Sequence, residues 1–305
     1  MDVVRLAVIC GPTGAGKSGL ALRLADEMRA GILSADSRQV YRGFDIGTAS
    51  PTVAEQERIP HEGINIIEGT ERYSAARWMS SVDEWRAALA AKGRRVLVVG
   101  GTGLYLRTLS SPLFAEPPLD PAARAALAQE LDALPLDALR AQVEVLDPPR
   151  AHLGRTQLLR AIEVARLTGR PISVWHEEQA RPARYDVRYL LVDPGEALHG
   201  WIAHRVDAML AIGWVQEVRA LMDRLPPDAP AWNATGYDVI RQVVLGTLSV
   251  AHARDRILIA TRQFAKRQRT WFRHQLPADR VVHVNSAAPD AYDRVRAWGL
   301  DEEGT

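Results

Sequence analysis

Only one cysteine, Cys10, occurs in the 305 residues, so the chain can form neither an internal disulfide nor a multi-cysteine zinc site. Its apolar neighbours Val8 and Ile9 mark it as a buried thiol on a strand. Lysine is almost as scarce: Lys17, Lys92 and Lys266 are the only lysines among 38 basic residues, so each one calls for a reason. Long apolar runs are missing too. A bilayer span needs roughly 18 apolar residues, and the runs here stop after a few at Arg, Gly or Pro, which excludes a membrane partner. The amino terminus lacks the basic and apolar layout of a signal peptide, so the expected location is the cytoplasm. The eight histidines show no HxxxH or similar spacing and are assigned no metal. Hydrophobic residues at 47% and charged ones at 25% exclude a disordered, collagen-like or coiled-coil chain. A net charge of +1 neither demands nor excludes an anionic partner.

Residues 3–10 (VVRLAVIC) form an aliphatic, β-branched run ending at glycine, the pattern of a buried parallel strand. The loop GPTGAGKS follows, and then a helix patterned by Leu20, Leu24 and Met28. A short second strand over 32–35 ends at Asp36. Ser74 is a plausible N-cap for a helix carrying Trp78, Val82, Trp85 and Leu89, and RRVLVVGG predicts a third strand. Strands return at 186–193 and 281–284. Alternating strands and helices predict an α/β fold with a P-loop parallel-sheet core. Prolines at 112, 117, 118, 121 and 182 bracket a stretch with helical patterns and no convincing strand. The expected organisation is a discontinuous core, 1–111 and 186–305, with a helical domain inserted at 112–185.

The segment Gly11, Pro12, Thr13, Gly14, Ala15, Gly16, Lys17, Ser18 fits G-x-x-x-x-G-K-[ST] between a strand and a helix, the context that gives the match meaning. Its amides would cradle a diphosphate at the positive end of a helix dipole, with Lys17 on the phosphate oxygens and Ser18 on Mg²⁺. In most P-loop NTPases another strand ends in an acidic Mg²⁺ ligand. Here the third strand ends in Gly100-Gly101-Thr102, which weakens an ATPase or GTPase reading. Asp36 ends the second strand, beside the loop, and can be a metal ligand, a general base or simply a turn aspartate. Farther on, Arg254 to Arg273 holds seven basic residues against one acidic one, Asp255. Phe264 and Trp271 would anchor one helix face there, while Lys266 and Arg269 meet a phosphate backbone.

Together GPTGAGKS, SADSRQVYRGFDIGTASP from Ser34, GGTGLYLRTL from Gly100, HRVDAMLAIGWVQEVRAL from His204 and TRQFAKRQRTWF from Thr261 resemble the tRNA dimethylallyltransferase (tRNA isopentenyltransferase) family. With one cysteine, no zinc-finger tail of the eukaryotic members is possible, so the resemblance is to the bacterial type. It implies transfer of a dimethylallyl group from dimethylallyl diphosphate to the exocyclic amine of the adenosine 3′ to the anticodon. It makes Asp36 the base, with Thr102 and Arg205 also catalytic, and puts the donor diphosphate on Gly11 to Ser18 with Mg²⁺. It further implies tRNA contacts from Ser37, Arg38, Gln39, Arg124, Thr156, Gln157, Leu158, Leu159 and Arg160. The expected partners are the tRNA anticodon loop and the donor, and the expected state is a monomer. Two departures stand out: the family's Ala-Ser is replaced by Gly14-Ala15, and Ala151 to Gln157 reads AHLGRTQ. An adenylate isopentenyltransferase, a P-loop kinase consuming ATP and a non-catalytic RNA-binding protein are the competing readings.

Overall fold

The computed structural model describes residues 4–111, 119–178 and 184–301. They divide between two compact units, Met1–Ser110 with Arg184–Thr305, and Ser111–Ala183. Pro112, Pro117, Pro118 and Pro182, where composition changes, lie outside the described residues.

The larger unit is built on six parallel strands in the order β3-β2-β4-β1-β5-β6, in agreement with the α/β class read from the alternating pattern. β1 (Val4–Cys10) is buried over its last five residues, as a strand covered on both faces must be. It pairs with β4 (Arg95–Gly100) on one side, and on the other with β5 (Tyr185–Val192) over seven residues, Val4↔Tyr185 to Cys10↔Leu191. β2 (Ala30–Ser34) starts two residues earlier than the pattern indicated. β3 (His61–Glu62), beyond it, was not foreseen, since two residues carry no period. The last strand, β6, falls at Val281–Val284 as expected.

The helices follow the strands in turn. α1 (Lys17–Glu27) leaves the glycine loop, and α2 (Val53–Arg58) opens on a Thr52–Glu55 capping box. In α3 (Ala75–Ala91) the Ser74 hydroxyl accepts the Arg77 amide at 3.1 Å, and Trp78, Val82, Trp85 and Leu89 form its buried face. Trp78 Nε1 donates to the Ser34 carbonyl (2.9 Å), tying α3 to the end of β2, and its ring stacks on Tyr105 of α4 (Gly103–Ser110).

The smaller unit contains α5 (Pro121–Asp132), α6 (Leu136–Leu146), α7 (Arg155–Thr168) and α8 (Ile172–Glu178). Its own core includes Leu127, Leu131, Leu139, Val143, Leu158 and Ile162. Back in the larger unit come α9 (Leu198–Ala211), α10 (Trp214–Met222), α11 (Tyr237–Val244), α12 (Val250–Gln275) and, after β6, α13 (Ala291–Leu300). Among the described residues, no helix is long and apolar enough to cross a membrane.

Candidate active site

Gly11 to Ser18 turn tightly from β1 into α1. Gly14 and Gly16 have φ of 79° and 83°, a region costly for residues with a Cβ. A side chain at Gly16 would also come within 3.1 Å of the Trp201 ring on α9. The loop opens into a cavity of about 780 Å³ lined by Thr13 to Ser18, Asp36, Gln39, Thr48, Gly101, Trp201, His204, Arg205 and Gln268. A smaller cavity of about 70 Å³ is lined by Ser37, Arg38 and Thr102, and shares Thr13, Asp36, Thr48, Arg205, Phe264 and Gln268 with the larger one. Both lie at the carboxyl ends of the parallel strands, where open α/β sheets bind ligands.

Electrostatics concentrate where the two cavities meet. Burial, then the neighbouring Arg205 charge, lower the Lys17 ammonium to about 8, and the amine donates to the Pro12 carbonyl (2.8 Å). Burial also draws Arg205 below its usual range, with Asp36 opposing, and its Nη2 donates to the Thr48 carbonyl at 3.4 Å. Two cations held at a cost of desolvation are poised for an anion that would offset it. Cys10 sits below them, fully buried, its thiol pushed up to about 12 by burial.

Asp36 makes the bond of a turn aspartate and faces the cavities: Oδ1 accepts the Arg38 amide at 2.8 Å, while the side chain lines both. Thr102 Oγ1 accepts the Ser37 amide (2.9 Å), and Gln39 Nε2 donates to the Ala49 carbonyl (3.0 Å). The first two bonds bring Asp36, Ser37, Arg38 and Thr102 together on the smaller cavity, while Gln39 lines the larger one. β4 ends in Gly100, without a carboxylate, and Asp193 after β5 is taken up by Arg269.

That last pairing corrects a reading of the basic helix. α12 has almost no acids in its own sequence window, but Arg269 makes a bidentate contact with Asp193 (2.7 and 2.5 Å) and also reaches the Gly195 carbonyl. Arg254 is matched by Asp207 of α9 (2.5 and 2.9 Å). Lys266 is exposed, so the two residues do not present their charges alike. Phe264 and Trp271 are only half-buried; the buried face of α12 runs through Ala265, Gln268 and Phe272.

In the smaller unit, Arg124 and Arg160 both hydrogen-bond to Glu163. Thr156 and Gln157 are exposed, Gln157 accepting the Gly154 amide at 3.1 Å, and Leu159 is half-buried. Leu158, by contrast, is fully buried in the unit's core, so its side chain offers RNA no surface.

Gln268 was missed in the sequence. Its Oε1 accepts the Thr13 amide and its Nε2 donates to the Gly101 carbonyl, both at 2.8 Å, joining α12 to the glycine loop and the β4 tip. A polar residue at helical spacing between Ala265 and Phe272 was its readable signal.

Comparison with known proteins accords with this geometry. The IPP transferase family matches residues 39–275, and the isopentenyl transferase family residues 4–69. A tRNA dimethylallyltransferase of Thermus thermophilus is 40% identical, covering 96% of this chain and 97% of its own. One from Deinococcus radiodurans is 40% identical over 90% and 91%. Among solved structures, the tRNA isopentenylpyrophosphate transferase of Bacillus halodurans gives a TM-score of 0.70 at 28% identity, covering 99% of this chain and 96% of that one. A eukaryotic dimethylallyltransferase captured acting on tRNA gives 0.79 at 25%, covering 97% and 77%. With glycine loop, strand-end aspartate and Arg205 in one cavity, and with these likenesses along nearly its whole length, the chain belongs to the IPP transferase family.

Proposed function

We propose that the protein transfers a dimethylallyl group from dimethylallyl diphosphate to the exocyclic amine of the adenosine 3′ to the anticodon in tRNA, releasing diphosphate. The observation that carries this reading is the shared cavity: a phosphate loop and a strand-end aspartate meet there, while β4 lacks the carboxylate a phosphoryl-transfer site would use. In the reaction the bond between C1 of the prenyl group and the diphosphate oxygen breaks, and a bond from the adenine nitrogen to C1 forms. The nitrogen's proton passes to Asp36 as general base. Lys17, Arg205 and the loop amides hold the charge that develops on the leaving diphosphate. Thr102 and Ser37 to Gln39 form the acceptor rim, and the adenine must leave its stacked loop to reach them.

The donor set also fits Mg²⁺ carried by the substrate. Among the described residues no group of three or more His, Cys, Asp or Glu could cage a metal. Mg²⁺ in phosphate sites typically keeps waters and takes one or two protein oxygens, which the Ser18 hydroxyl at the loop can supply. The ion would neutralise diphosphate charge. Exposed Lys266 and the Arg124 and Thr156 to Arg160 region, Leu158's side chain excepted, are the proposed tRNA contacts, in a cytoplasmic, monomeric enzyme.

The test is direct. Purified protein with unmodified tRNA and dimethylallyl diphosphate should yield adenosine carrying one added C5 unit by nucleoside mass spectrometry. Consumption of ATP without a mass change would favour a kinase, and modification of free AMP but not of tRNA would favour a nucleotide acceptor.

A further inference from the structure

Glu217 of α10 takes no part in the steps above, yet it organises one wall of the site. Oε2 accepts the backbone amides of Asp45 (3.0 Å) and Ile46 (2.6 Å). Oε1 accepts the Tyr237 hydroxyl (2.7 Å) and, at 3.5 Å, the Gly47 amide. The Tyr237 oxygen also accepts that amide at 3.1 Å. Successive amides converging on an anion form a nest, and here the anion is the chain's own carboxylate. The loop lies close against Trp214: a Cβ on Gly47 would come within 2.3 Å of its indole. Burial and the Glu217 charge hold the Tyr237 hydroxyl far above its ordinary range, so it remains protonated and donates. Burial also raises the Glu217 carboxyl, against the pull of its donors.

The chain then runs directly into Thr48, whose carbonyl accepts from Arg205 at 3.4 Å. The Thr48 hydroxyl donates to the Phe44 carbonyl (2.5 Å) and lies 2.9 Å from that of Ser50, so the residue is fixed from both sides. Arg205 is half-buried in the cavity wall, and a guanidinium held there acts where its hydrogen bonds aim it. We propose that Glu217 is a positioning residue that, through the loop from Asp45 to Thr48, aims Arg205 at the leaving diphosphate. The proposal rests on the prenyl-transfer reading for the purpose of that aim.

The test is a double-mutant cycle on pyrophosphate affinity, measured by calorimetry on the full chain, with Glu217→Gln, Arg205→Ala and the pair. Glu217→Gln keeps the shape but replaces an acceptor by a donor facing amides, a mismatch worth about tenfold to a hundredfold. Pyrophosphate affinity should fall by that factor, while tRNA affinity without donor stays unchanged. On the Arg205→Ala background the same change should cost less than about twofold, since residues acting through one another are non-additive. An equal penalty on both backgrounds, or unchanged affinity in Glu217→Gln, overturns the proposal. Should Glu217→Gln fail to fold, Tyr237→Phe carries the same cycle, with a severalfold loss expected only when Arg205 is present. Absence of prenyl transfer with a non-additive cycle would refute the proposed function and spare the role of Glu217; an additive cycle would do the reverse.

Discussion

Replacing Lys17 by Met removes the charge while keeping the length of the side chain, and it separates what the lysine does for binding from what it does to the fold. Burial and Arg205 bring its ammonium from the ordinary 10.5 to about 8, a difference equivalent to about 3 kcal/mol. Below pH 8 folded and unfolded chains both hold the proton, and the folded state carries the full cost. Between about 8 and 10.5 only the unfolded chain holds it, so this group makes stability rise with pH in that window. The side chain is partly exposed, and solvent screening discounts the figure. Lys17→Met should therefore stabilise the empty protein at pH 7 by about 1 to 3 kcal/mol, a few degrees in Tm by calorimetry. Pyrophosphate affinity should move the other way. The ratio of wild-type to variant affinity cancels the ligand's own titration, and it should fall about tenfold per pH unit above pH 8. A variant no more stable than wild type at pH 7, or a ratio flat from pH 7 to 9, would refute the reasoning.

Asp36→Asn preserves the acceptor for the Arg38 amide and removes the base, so turnover should drop by about 10² to 10⁴ while pyrophosphate affinity, relieved of a nearby negative charge, does not fall; a near-normal kcat would exclude Asp36 as base. Lys266→Ala should lower the slope of log tRNA affinity against log salt by about 1 and leave Tm alone. Arg269→Ala, in contrast, breaks the contact with Asp193 and should lower Tm, so identical melting curves for the two variants would contradict the pairing. Ser74→Ala, which deletes the α3 cap, should cost about 1 kcal/mol in denaturant titration while specific activity is retained.

What could be read from the sequence was what is encoded locally. Trp78, Val82, Trp85 and Leu89 repeat within one helix, and Gly11 to Ser18 are one continuous segment, so both were legible. Glu217 was not, because its amide partners lie some 170 residues earlier in the chain. The same distance explains the error over α12: a charge count confined to twenty residues cannot see Asp193 or Asp207, which neutralise Arg269 and Arg254 from other elements. Leu158 shows the limit of carrying a contact over by resemblance, since the turn that exposes Gln157 turns its neighbour inward. Gln268 lay between these cases, visible as a polar residue on an apolar face but with no indication of its partner.

The pairing of β1 with β5 bears on how the chain folds as it is made. β1 is central in the finished sheet, yet its partner on one side begins about 175 residues after Cys10. At about 5 to 20 residues per second, a ribosome needs roughly 10 to 35 s to bridge that interval. For all that time one edge of the strand beneath the glycine loop has no native neighbour, and an apolar strand with an open edge invites pairing with other chains. Parallel contacts of such sequence separation also close slowly. The helices of Ser111–Ala183, whose core is drawn from one continuous stretch of chain, emerge within this interval and can form before the sheet is complete.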